Sequence, residues 1–325
     1  MPEPKDGEVL LRVKAVGVCG SDVHHYAEGG IGDERVIEPL VPGHEFAALV
    51  EAVGPGVKGV KAGDRVAVDP ARSCGVCEHC RQGNPNLCPD VRFCGTPPID
   101  GALRQFMAYP SENLFPLPRS IDYAEGAMLE PLGVAIHSVD LGKLRVADTV
   151  AVLGCGPIGL LVIELARLSG VSQIFATELL PSRLEAAQRL GATTVINAER
   201  EDPVEEIRRA TGGRGVDVAF EAAGALETPQ QAAEVTRPGG RVVLIGIPSE
   251  DETPFKASTI RRKGLTLKLV RRMKHTYPRA ITLVEQGMVD VSSLITHRFP
   301  LERAREAFEL VRTYADGVIK AVIEL

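Results

Sequence analysis

Four cysteines crowd into one short segment and are the strongest chemical signal in the sequence: Cys74, Cys77, Cys80 and Cys88. Four thiolates at this spacing can form a tetrahedral zinc site with no open position, which is the structural type of zinc site. An iron–sulfur cluster is the minor alternative, because sets of four cysteines also hold such clusters. The glycine and proline residues between the cysteines favour tight loops, which argues against four inert thiols.

A second group of candidate metal ligands is scattered along the first part of the chain. It consists of Cys19 and of the neighbours His44 and Glu45. A cysteine, a histidine and a carboxylate suit a catalytic zinc ion that keeps one position for water or substrate. Each residue says little alone, since a lone histidine beside a glutamate is more often a surface feature. Their occurrence together with the other motifs carries the prediction.

A glycine-rich turn, Gly154-Cys155-Gly156-Pro157-Ile158-Gly159, follows a predicted strand and opens a predicted helix. Its glycines allow a tight turn, close approach of a pyrophosphate and close packing of helix on strand, and the helix N-terminus faces the anion. Glu178 ends the next predicted strand, where a carboxylate can bind a ribose diol and repel a 2′-phosphate. Arg183 could instead pair with that phosphate or stack on adenine. We favour NAD over NADP.

The elements that must position these residues fall into two patterns. The first third of the chain is rich in glycine and proline and has short β-type runs, which predicts a mostly β domain. From about Glu130 apolar strands alternate with amphipathic helices, which predicts an α/β domain with a doubly wound, parallel, six-stranded sheet. The predicted tail has two helices, Pro278–Gln286 and Leu301–Thr313, and a final strand. The segment from Thr296 to Leu301 is predicted to be a turn into a helix.

Length and composition limit the classes of function. A chain of 325 residues suggests two domains at roughly 100–200 residues each. A net charge of −6 argues against an extended surface for nucleic acid or an anionic membrane. The N-terminal residues are acidic and polar, unlike a secretory signal, and glycines interrupt the longest apolar stretch. We expect a cytoplasmic protein with a small-molecule partner.

Taken in order, these motifs resemble the zinc-dependent medium-chain alcohol dehydrogenases, and more closely their polyol branch, the sorbitol and xylitol dehydrogenases. The shared segments cover nearly the whole chain: Val18-Cys-Gly-Ser-Asp-Val-His, Ile31-Gly, Val41-Pro-Gly-His-Glu, Gly63-Asp-Arg-Val-Ala, Phe93-Cys-Gly-Thr-Pro-Pro, Leu129-Glu-Pro-Leu, Gly154-Cys-Gly-Pro-Ile-Gly and Thr296-His-Arg-Phe-Pro-Leu. The resemblance implies a GroES-like catalytic zinc domain from residues 1–131 and 269–325. It implies an NAD-binding Rossmann domain from residues 132–268.

The resemblance also implies roles for the scattered ligands. Cys19 and His44 resemble protein ligands of the catalytic zinc. Glu45 is a ligand in some family members, and Glu130 resembles a residue that either binds zinc or holds its water. Asp22 would orient His44 through the other ring nitrogen. The four-cysteine segment resembles the family's structural zinc loop.

Further roles concern the proton, the substrate and the cofactor. Ser21 and His24 resemble a relay that takes a proton from the substrate hydroxyl to solvent. Substrate contacts are expected at Arg272, His25 and Phe93. Cofactor contacts beyond the glycine-rich turn are expected at Ile245, Ile247 and Val270. The substrate would occupy the cleft at the carboxyl ends of the sheet strands.

The family implies oxidation of a polyol secondary alcohol to a ketone with NAD, by a homotetramer or homodimer. An enzyme resembling L-threonine 3-dehydrogenase is the alternative within the fold, although the segments that begin at Ile31 and Phe93 favour polyols. A methyltransferase could also pair a glycine-rich turn with an acidic residue, but Gly159 and the scattered ligands argue against it. A non-enzymatic binding protein is disfavoured because the candidate zinc ligands are retained.

Overall fold

The computed structural model describes all 325 residues, which form two compact units. Unit 1 comprises Met1–Gly133 and Lys274–Leu325, and unit 2 comprises Val134–Met273. Each unit has its own sheet and its own hydrophobic core. No helix is both long enough and apolar enough to cross a lipid bilayer.

The chain begins with short helices among many strands. The strands are β1 (Glu8–Gly17), β2 (Gly30–Ile31), β3 (Glu34–Arg35), β4 (Glu45–Val53), β5 (Arg65–Val68), β6 (Ala71–Arg72), β7 (Arg92–Phe93), β8 (Phe106–Pro110) and β9 (Leu114–Pro116). The helices are α1 (Gly20–Glu28), α2 (Glu78–Arg81), α3 (Tyr123–Ala127) and α4 (Leu129–Gly142). Single 3₁₀ turns lie at Pro85–Leu87 and Ser111–Asn113.

Strands and helices then alternate regularly. The strands are β10 (Thr149–Leu153), β11 (Gln173–Glu178), β12 (Thr194–Asn197), β13 (Val216–Glu221), β14 (Thr236–Leu244) and β15 (Thr266–Leu269). The helices between them are α5 (Pro157–Leu168), α6 (Pro181–Leu190), α7 (Pro203–Ala210), α8 (Thr228–Val235) and α9 (Ala257–Lys263). The chain returns to unit 1 with α10 (Tyr277–Glu285), β16 (Ile295–Pro300), α11 (Ala304–Thr313) and β17 (Lys320–Glu324), and with 3₁₀ turns at Ser292–Leu294, Leu301–Arg303 and Ala315–Gly317.

The sheet of unit 1 brings distant parts of the chain together. Its strand order is β16-β17-β1-β4-β5-β9, and β8 also pairs with β1. The inward residues Val9, Leu11 and Val13 of β1 are buried in one core, as alternation along a half-buried strand requires. β1 and β4 are antiparallel, with Gly17 opposite Glu45, so the end of one strand lies beside the start of the other. The segments that follow β1 and precede β4 therefore meet.

The sheet of unit 2 has the strand order β12-β11-β10-β13-β14-β15, and every pairing is parallel. This confirms the two predicted fold types, a doubly wound six-stranded sheet in one unit and a mostly β architecture in the other. The central strands are continuously apolar because helices cover both faces of such a sheet. Parallel strands end at the same edge, so the turn after β10, Glu178 on β11 and Glu221 on β13 lie at the carboxyl edge.

One prediction for the tail is wrong. The segment Ile295–Pro300 is a strand, β16, which pairs in parallel with β17, and not a turn into a helix. Its half-buried residues Ile295, His297 and Phe299 alternate with exposed ones, the pattern of an edge strand. Pro300 ends the strand, where a missing N–H is tolerated. Helix α11 begins only at Ala304, after a 3₁₀ turn.

Asp217 links neighbouring strands by hydrogen bonds at the amino end of the unit 2 sheet. Its carboxylate accepts hydrogen bonds from the N–H and hydroxyl groups of Thr149, both at 2.9 Å, and from the guanidinium groups of Arg214 at 2.7 Å and Arg237 at 2.6 Å. Burial would raise the pKa of Asp217, but these hydrogen bonds, led by that of Arg214, hold it well below its usual range. The carboxylate joins β10, β13 and β14.

We expect Asp217→Asn to lower the free energy of unfolding by about 2 kcal/mol at pH 7, because hydrogen bonds to two guanidinium groups weaken. The native pKa lies below the unfolded one, so the stabilisation is full above about pH 5 and is lost progressively as the pH falls further. Urea unfolding of both proteins at pH 7 and pH 3 measures this. A difference that is as large at pH 3 would contradict the assignment.

Candidate metal centres and dinucleotide site

The four clustered cysteines lie in a loop of unit 1 that directs backbone N–H groups at sulfur. Their Sγ atoms lie within 4.8 Å of one another, and none forms a disulfide. The N–H groups of Cys74 and Cys77 donate to Cys88 Sγ and Cys74 Sγ, both at 3.4 Å. Backbone hydrogen bonds from Val76 and Cys77 lower the pKa of Cys74 to about 7. This donor set fits a closed tetrahedral zinc site with Zn–S distances of about 2.3 Å.

Cys19, His44 and Glu45 form a second group, whose ligand atoms also lie within 4.8 Å of one another. Cys19 is the N-cap residue of α1, just after β1. Glu45 is the first residue of β4, and His44 immediately precedes it. The antiparallel pairing of those strands brings the three side chains together. One sulfur, one ring nitrogen and one carboxylate fit a zinc ion with a position left for a further ligand.

Asp22 fixes the orientation of His44. Its Oδ1 lies 3.3 Å from His44 Nδ1 and accepts the N–H of Gly43 at 3.1 Å, while its Oδ2 accepts the N–H of Cys19 at 3.3 Å. Burial alone would lower the pKa of His44, but the charge of Asp22 outweighs it and the pKa lies well above its usual value. Because Asp22 engages Nδ1, Nε2 is the nitrogen left for a metal ion.

Two more buried charged residues accompany this group. Lys320 Nζ donates to Glu45 Oε1 and Oε2 at 2.7 and 2.6 Å, and to the carbonyl oxygen of Val18 at 3.2 Å. Glu130 is buried, and burial raises its pKa to about 7. Lys320 is not among the residues predicted from the sequence. A lysine inside the apolar run Val318–Ile323 was the signal for it, because a lysine is almost never fully buried without a partner.

The predicted proton relay begins close to the sulfur of Cys19. The hydroxyl of Ser21 donates to Cys19 Sγ at 3.3 Å. His24, on the same helix, has Nδ1 at 3.0 Å from the carboxylate of Glu28, and about a quarter of its side chain is exposed. The helix thus carries polar side chains from the candidate metal group to the surface of unit 1.

The predicted substrate residues divide between the two units. His25 is buried, neither ring nitrogen has a hydrogen-bond partner, and burial lowers its pKa. The ring of Phe93 is tilted against that of His44, with the ring centroids 5.1 Å apart. Arg272 belongs to unit 2 and follows β15 with φ of 53°. His25 and Phe93 therefore lie in the unit of the candidate metal group, and Arg272 does not.

The glycine-rich turn of unit 2 has the geometry of a phosphate cradle. Gly154 has φ of 93°, which favours glycine. A Cβ atom on Gly159 would lie 1.9 Å from the carbonyl oxygen of Gly154, so that position must be glycine. Gly156 is the N-cap of α5 and Pro157 and Ile158 form its first residues. The unpaired N–H groups of a helix start bind anions.

Glu178 and Arg183 stand together beside this turn. Glu178 Oε2 accepts the N–H of Cys155 at 2.9 Å, and Oε1 accepts the N–H of Leu179 at 2.7 Å. Arg183 Nη1 lies 4.0 Å from Glu178 Oε2. At Gly156 a Cβ would meet only that guanidinium, at 3.9 Å, so the backbone there is open to a ligand. These residues fit the adenosine end of a dinucleotide.

The remaining predicted cofactor residues lie at the same edge of the sheet. Ile245 and Ile247 follow β14, and Val270 follows β15. The N–H of Ile245 donates to the carbonyl oxygen of Glu221 at 2.8 Å, and that of Val270 donates to the carbonyl oxygen of Leu244 at 2.9 Å. These residues extend the edge on the side of β10 opposite to Glu178.

Comparison with known proteins places both units in one family. Residues 5–119 match the alcohol dehydrogenase GroES-like domain, and residues 157–286 match the zinc-binding dehydrogenase family. Sorbitol dehydrogenase of Bacillus subtilis is 41% identical over 323 residues, which cover 99% of this chain and 92% of that protein.

Two solved structures show the same fold with a dinucleotide bound. A zinc-binding dehydrogenase from Sinorhizobium meliloti, bound to NADP, has a TM-score of 0.92 and 31% identity, covering 100% of this chain and 94% of that one. An alcohol dehydrogenase from Escherichia coli, in complex with NADH, has a TM-score of 0.90 and 30% identity, with the same coverage of both chains, 100% and 94%.

The fold and its two kinds of site define an oxidoreductase that uses zinc and a nicotinamide dinucleotide. The chain belongs to the zinc-dependent medium-chain alcohol dehydrogenase family, on the branch that includes sorbitol dehydrogenases. The predicted family is confirmed, and so are zinc and a nicotinamide dinucleotide as its cofactors.

The buried ion pair of Lys320 and Glu45 is expected to contribute to the stability of the folded protein. Lys320→Met should lower the free energy of unfolding by about 3–5 kcal/mol, because it leaves the carboxylate of Glu45 buried without its cation. Replacing both residues, as Lys320→Met with Glu45→Gln, should cost less than Lys320→Met alone. Urea unfolding of the three proteins at pH 7 checks this, and equal losses in the single and double variants would show that the pair is not coupled.

Proposed function

We propose that this chain oxidises a secondary alcohol of a polyol, such as sorbitol or xylitol, to a ketone with NAD as the acceptor. The substrate loses a hydride to the nicotinamide ring and a proton to solvent, so the products are the ketose, NADH and a proton. The observation that supports this best is that one chain pairs the group Cys19, His44 and Glu45 with a glycine-rich turn beside Glu178. The similarity to sorbitol dehydrogenase supports the substrate class.

Cys19 and His44 would hold the catalytic zinc, with Glu45 or Glu130 completing its surroundings. The ion, when bound, supplies a Lewis acid that polarises an alcohol oxygen. The work of the chain is to hold the ligands in place. Asp22 orients His44, and Lys320 neutralises the carboxylate of Glu45. The four-cysteine segment would hold a second, structural zinc ion.

Ser21 and His24 would carry the proton away from the substrate hydroxyl. The Ser21 hydroxyl lies beside Cys19, where the substrate oxygen would approach. His24 is partly exposed and lies against Glu28, so a proton that reaches its ring can pass to solvent. Removal of the proton leaves an electron pair on the alcohol oxygen, which forms the C=O bond of the ketone as the carbinol hydrogen departs with its bonding electrons as a hydride.

The chain's part in the redox step is to bind and orient the dinucleotide, which supplies the hydride acceptor. The turn from Gly154 to Gly159 would receive the pyrophosphate. Glu178 would accept hydrogen bonds from the adenosine ribose and exclude a 2′-phosphate. Its carboxylate is already held by three backbone N–H groups, those of Cys155, Leu179 and Leu180, so it cannot readily turn away from a phosphate.

We also propose a cytoplasmic homotetramer or homodimer. Seven cysteines without a disulfide suit a reducing compartment, in which a thiolate metal site persists. The oligomeric state is implied by the family resemblance.

The metal assignment predicts two zinc ions per chain with different functions. Cys77→Ser should lower thermal stability, because a closed thiolate site contributes folding free energy. His44→Ala should abolish turnover with less effect on folding. Elemental analysis of each variant and thermal melts check both expectations. A fully active protein that contains one zinc ion per chain would rule out the two sites.

The cofactor assignment predicts that kcat/KM with NAD exceeds that with NADP by at least about tenfold, or ~1.4 kcal/mol. Glu178→Ala should narrow this ratio, because Arg183 can then pair with the 2′-phosphate. Glu178→Gln is the matched control, since it keeps the size and hydrogen-bonding capacity but loses the charge. Steady-state kinetics with both cofactors test this, and equal efficiencies in the unmodified enzyme would contradict the role of Glu178.

The substrate assignment is tested by NADH production from sorbitol, xylitol, threonine and a small secondary alcohol. The five N–H donors of an arginine suit several hydroxyl groups at once. Arg272→Ala should therefore impair oxidation of sorbitol or xylitol far more than that of the small alcohol. Arg271→Ala, at the neighbouring position, is the control. Equal losses on both substrates would leave Arg272 a structural residue, and turnover of threonine alone would replace the polyol assignment.

A further inference from the structure

Glu221 has a buried carboxylate that the mechanism above does not use. It is the last residue of β13, and only 1% of it is exposed. One oxygen, Oε1, accepts three hydrogen bonds, from the N–H groups of Ala223 and Gly224 at 2.9 and 2.7 Å and from the Thr228 hydroxyl at 2.8 Å. Hydrogen bonds to an ionised carboxylate are stronger than those between neutral groups, so Glu221 fixes the position of the backbone that follows β13.

This held backbone is the surface on which the glycine-rich turn packs. The N–H of Ala222 donates to the carbonyl oxygen of Leu153, the last residue of β10, at 2.8 Å. A Cβ atom added to Gly154 would lie 2.7 Å from the nitrogen of Ala223. The turn therefore lies directly against the segment that Glu221 holds, and a shift of that segment displaces the turn.

The loop after β14 also packs on Glu221, against both its backbone and its carboxylate. The N–H groups of Ile245 and Gly246 donate to the backbone carbonyl oxygen of Glu221, at 2.8 and 3.1 Å. A Cβ atom on Gly246 would lie 2.7 Å from Glu221 Oε2 and 2.3 Å from the nitrogen of Gly224. Three loops, after β10, β13 and β14, thus converge on Glu221. These strands are neighbours in the sheet, and dinucleotides bind at the carboxyl ends of such strands.

We propose that Glu221 is a positioning residue of the dinucleotide site, whose carboxylate sets the common geometry of these three loops and thereby the affinity for the cofactor. The inference rests on the proposed function only in that this edge binds NAD. It assigns to Glu221 a task distinct from that of Glu178, which would contact the ribose itself.

Asp217 provides a matched control within the same strand. It is also buried and also accepts several hydrogen bonds, but it lies at the amino end of β13, away from the three loops. Glu221→Met and Asp217→Leu each replace a carboxylate by an apolar group of similar size. Both variants lose several partly buried hydrogen bonds, and only the first disturbs the loops at the carboxyl edge.

The experiment measures the dissociation constant of NADH by fluorescence titration of zinc-loaded enzyme, together with the melting temperature and zinc content of each protein. Glu221→Met should weaken NADH binding at least about tenfold, because three donors around the buried carboxylate lose their acceptor and the loops shift. Asp217→Leu should lower the melting temperature and leave the dissociation constant within about twofold. Zinc content should be unchanged in both.

Two milder variants keep the test decisive if Glu221→Met fails to fold. Glu221→Gln retains an acceptor for the three donors and should restore most of the affinity, while Thr228→Val removes one donor and should weaken binding by a few-fold. Equal changes in NADH affinity for Glu221→Met and Asp217→Leu, or unchanged affinity in Glu221→Met or Thr228→Val, would overturn the proposal. Unmodified enzyme that does not bind NADH would instead overturn the proposed function.

Discussion

The buried carboxylate of Asp22 joins the two segments on which the candidate metal site depends. Its oxygens accept hydrogen bonds from the backbone N–H groups of Cys19 and Gly43, and one of them also contacts Nδ1 of His44. The start of α1 and the approach to β4 therefore cannot shift independently, and the distance between a sulfur and a nitrogen ligand is set before any ion arrives. The antiparallel pairing of β1 with β4 brings Cys19 and His44 into the same region, and the hydrogen bonds of the Asp22 carboxylate then fix their exact positions.

Charge balance is the second constraint on this region. Three buried carboxyl groups belong to this region, those of Asp22, Glu45 and Glu130, and a buried charge is costly unless it is paired. Lys320 supplies one positive charge and makes bonds to both oxygens of Glu45. The other candidate metal ligands, a thiol and carboxyl groups, can carry negative charge, which suits a divalent cation. The same logic operates in unit 2, where Asp217 is matched by two guanidinium groups.

The sequence predicts the features of this molecule that depend on local pattern. The six strands of unit 2 follow from apolar runs between amphipathic helices, and the four-cysteine group follows from residue type and spacing. The group of Cys19, His44 and Glu45 is predicted only together with the other motifs and the family resemblance. Strand β16 was missed because Pro300 and the following helix suggested a turn, while the partner that makes it a strand, β17, lies further along the chain. Lys320 was missed for a similar reason, since its partner Glu45 is 275 residues away. Glu221 has local partners, but its burial depends on the packing of loops from neighbouring strands.

The split of unit 1 between two stretches of chain has a consequence for its biosynthesis. A ribosome adds Glu45 some 275 residues before Lys320, an interval on the order of 15 to 55 s at about 5–20 residues per second. Throughout that time β1 has no β17 beside it, and the carboxylate has no internal cation. Unit 2 is translated in between and has all its strands earlier. Unit 2 can therefore fold on the ribosome before unit 1 is complete, although unit 1 begins first in the sequence. A chain released before Lys320 lacks both the edge strands of the unit 1 sheet and the cation that pairs with Glu45 in the candidate metal site.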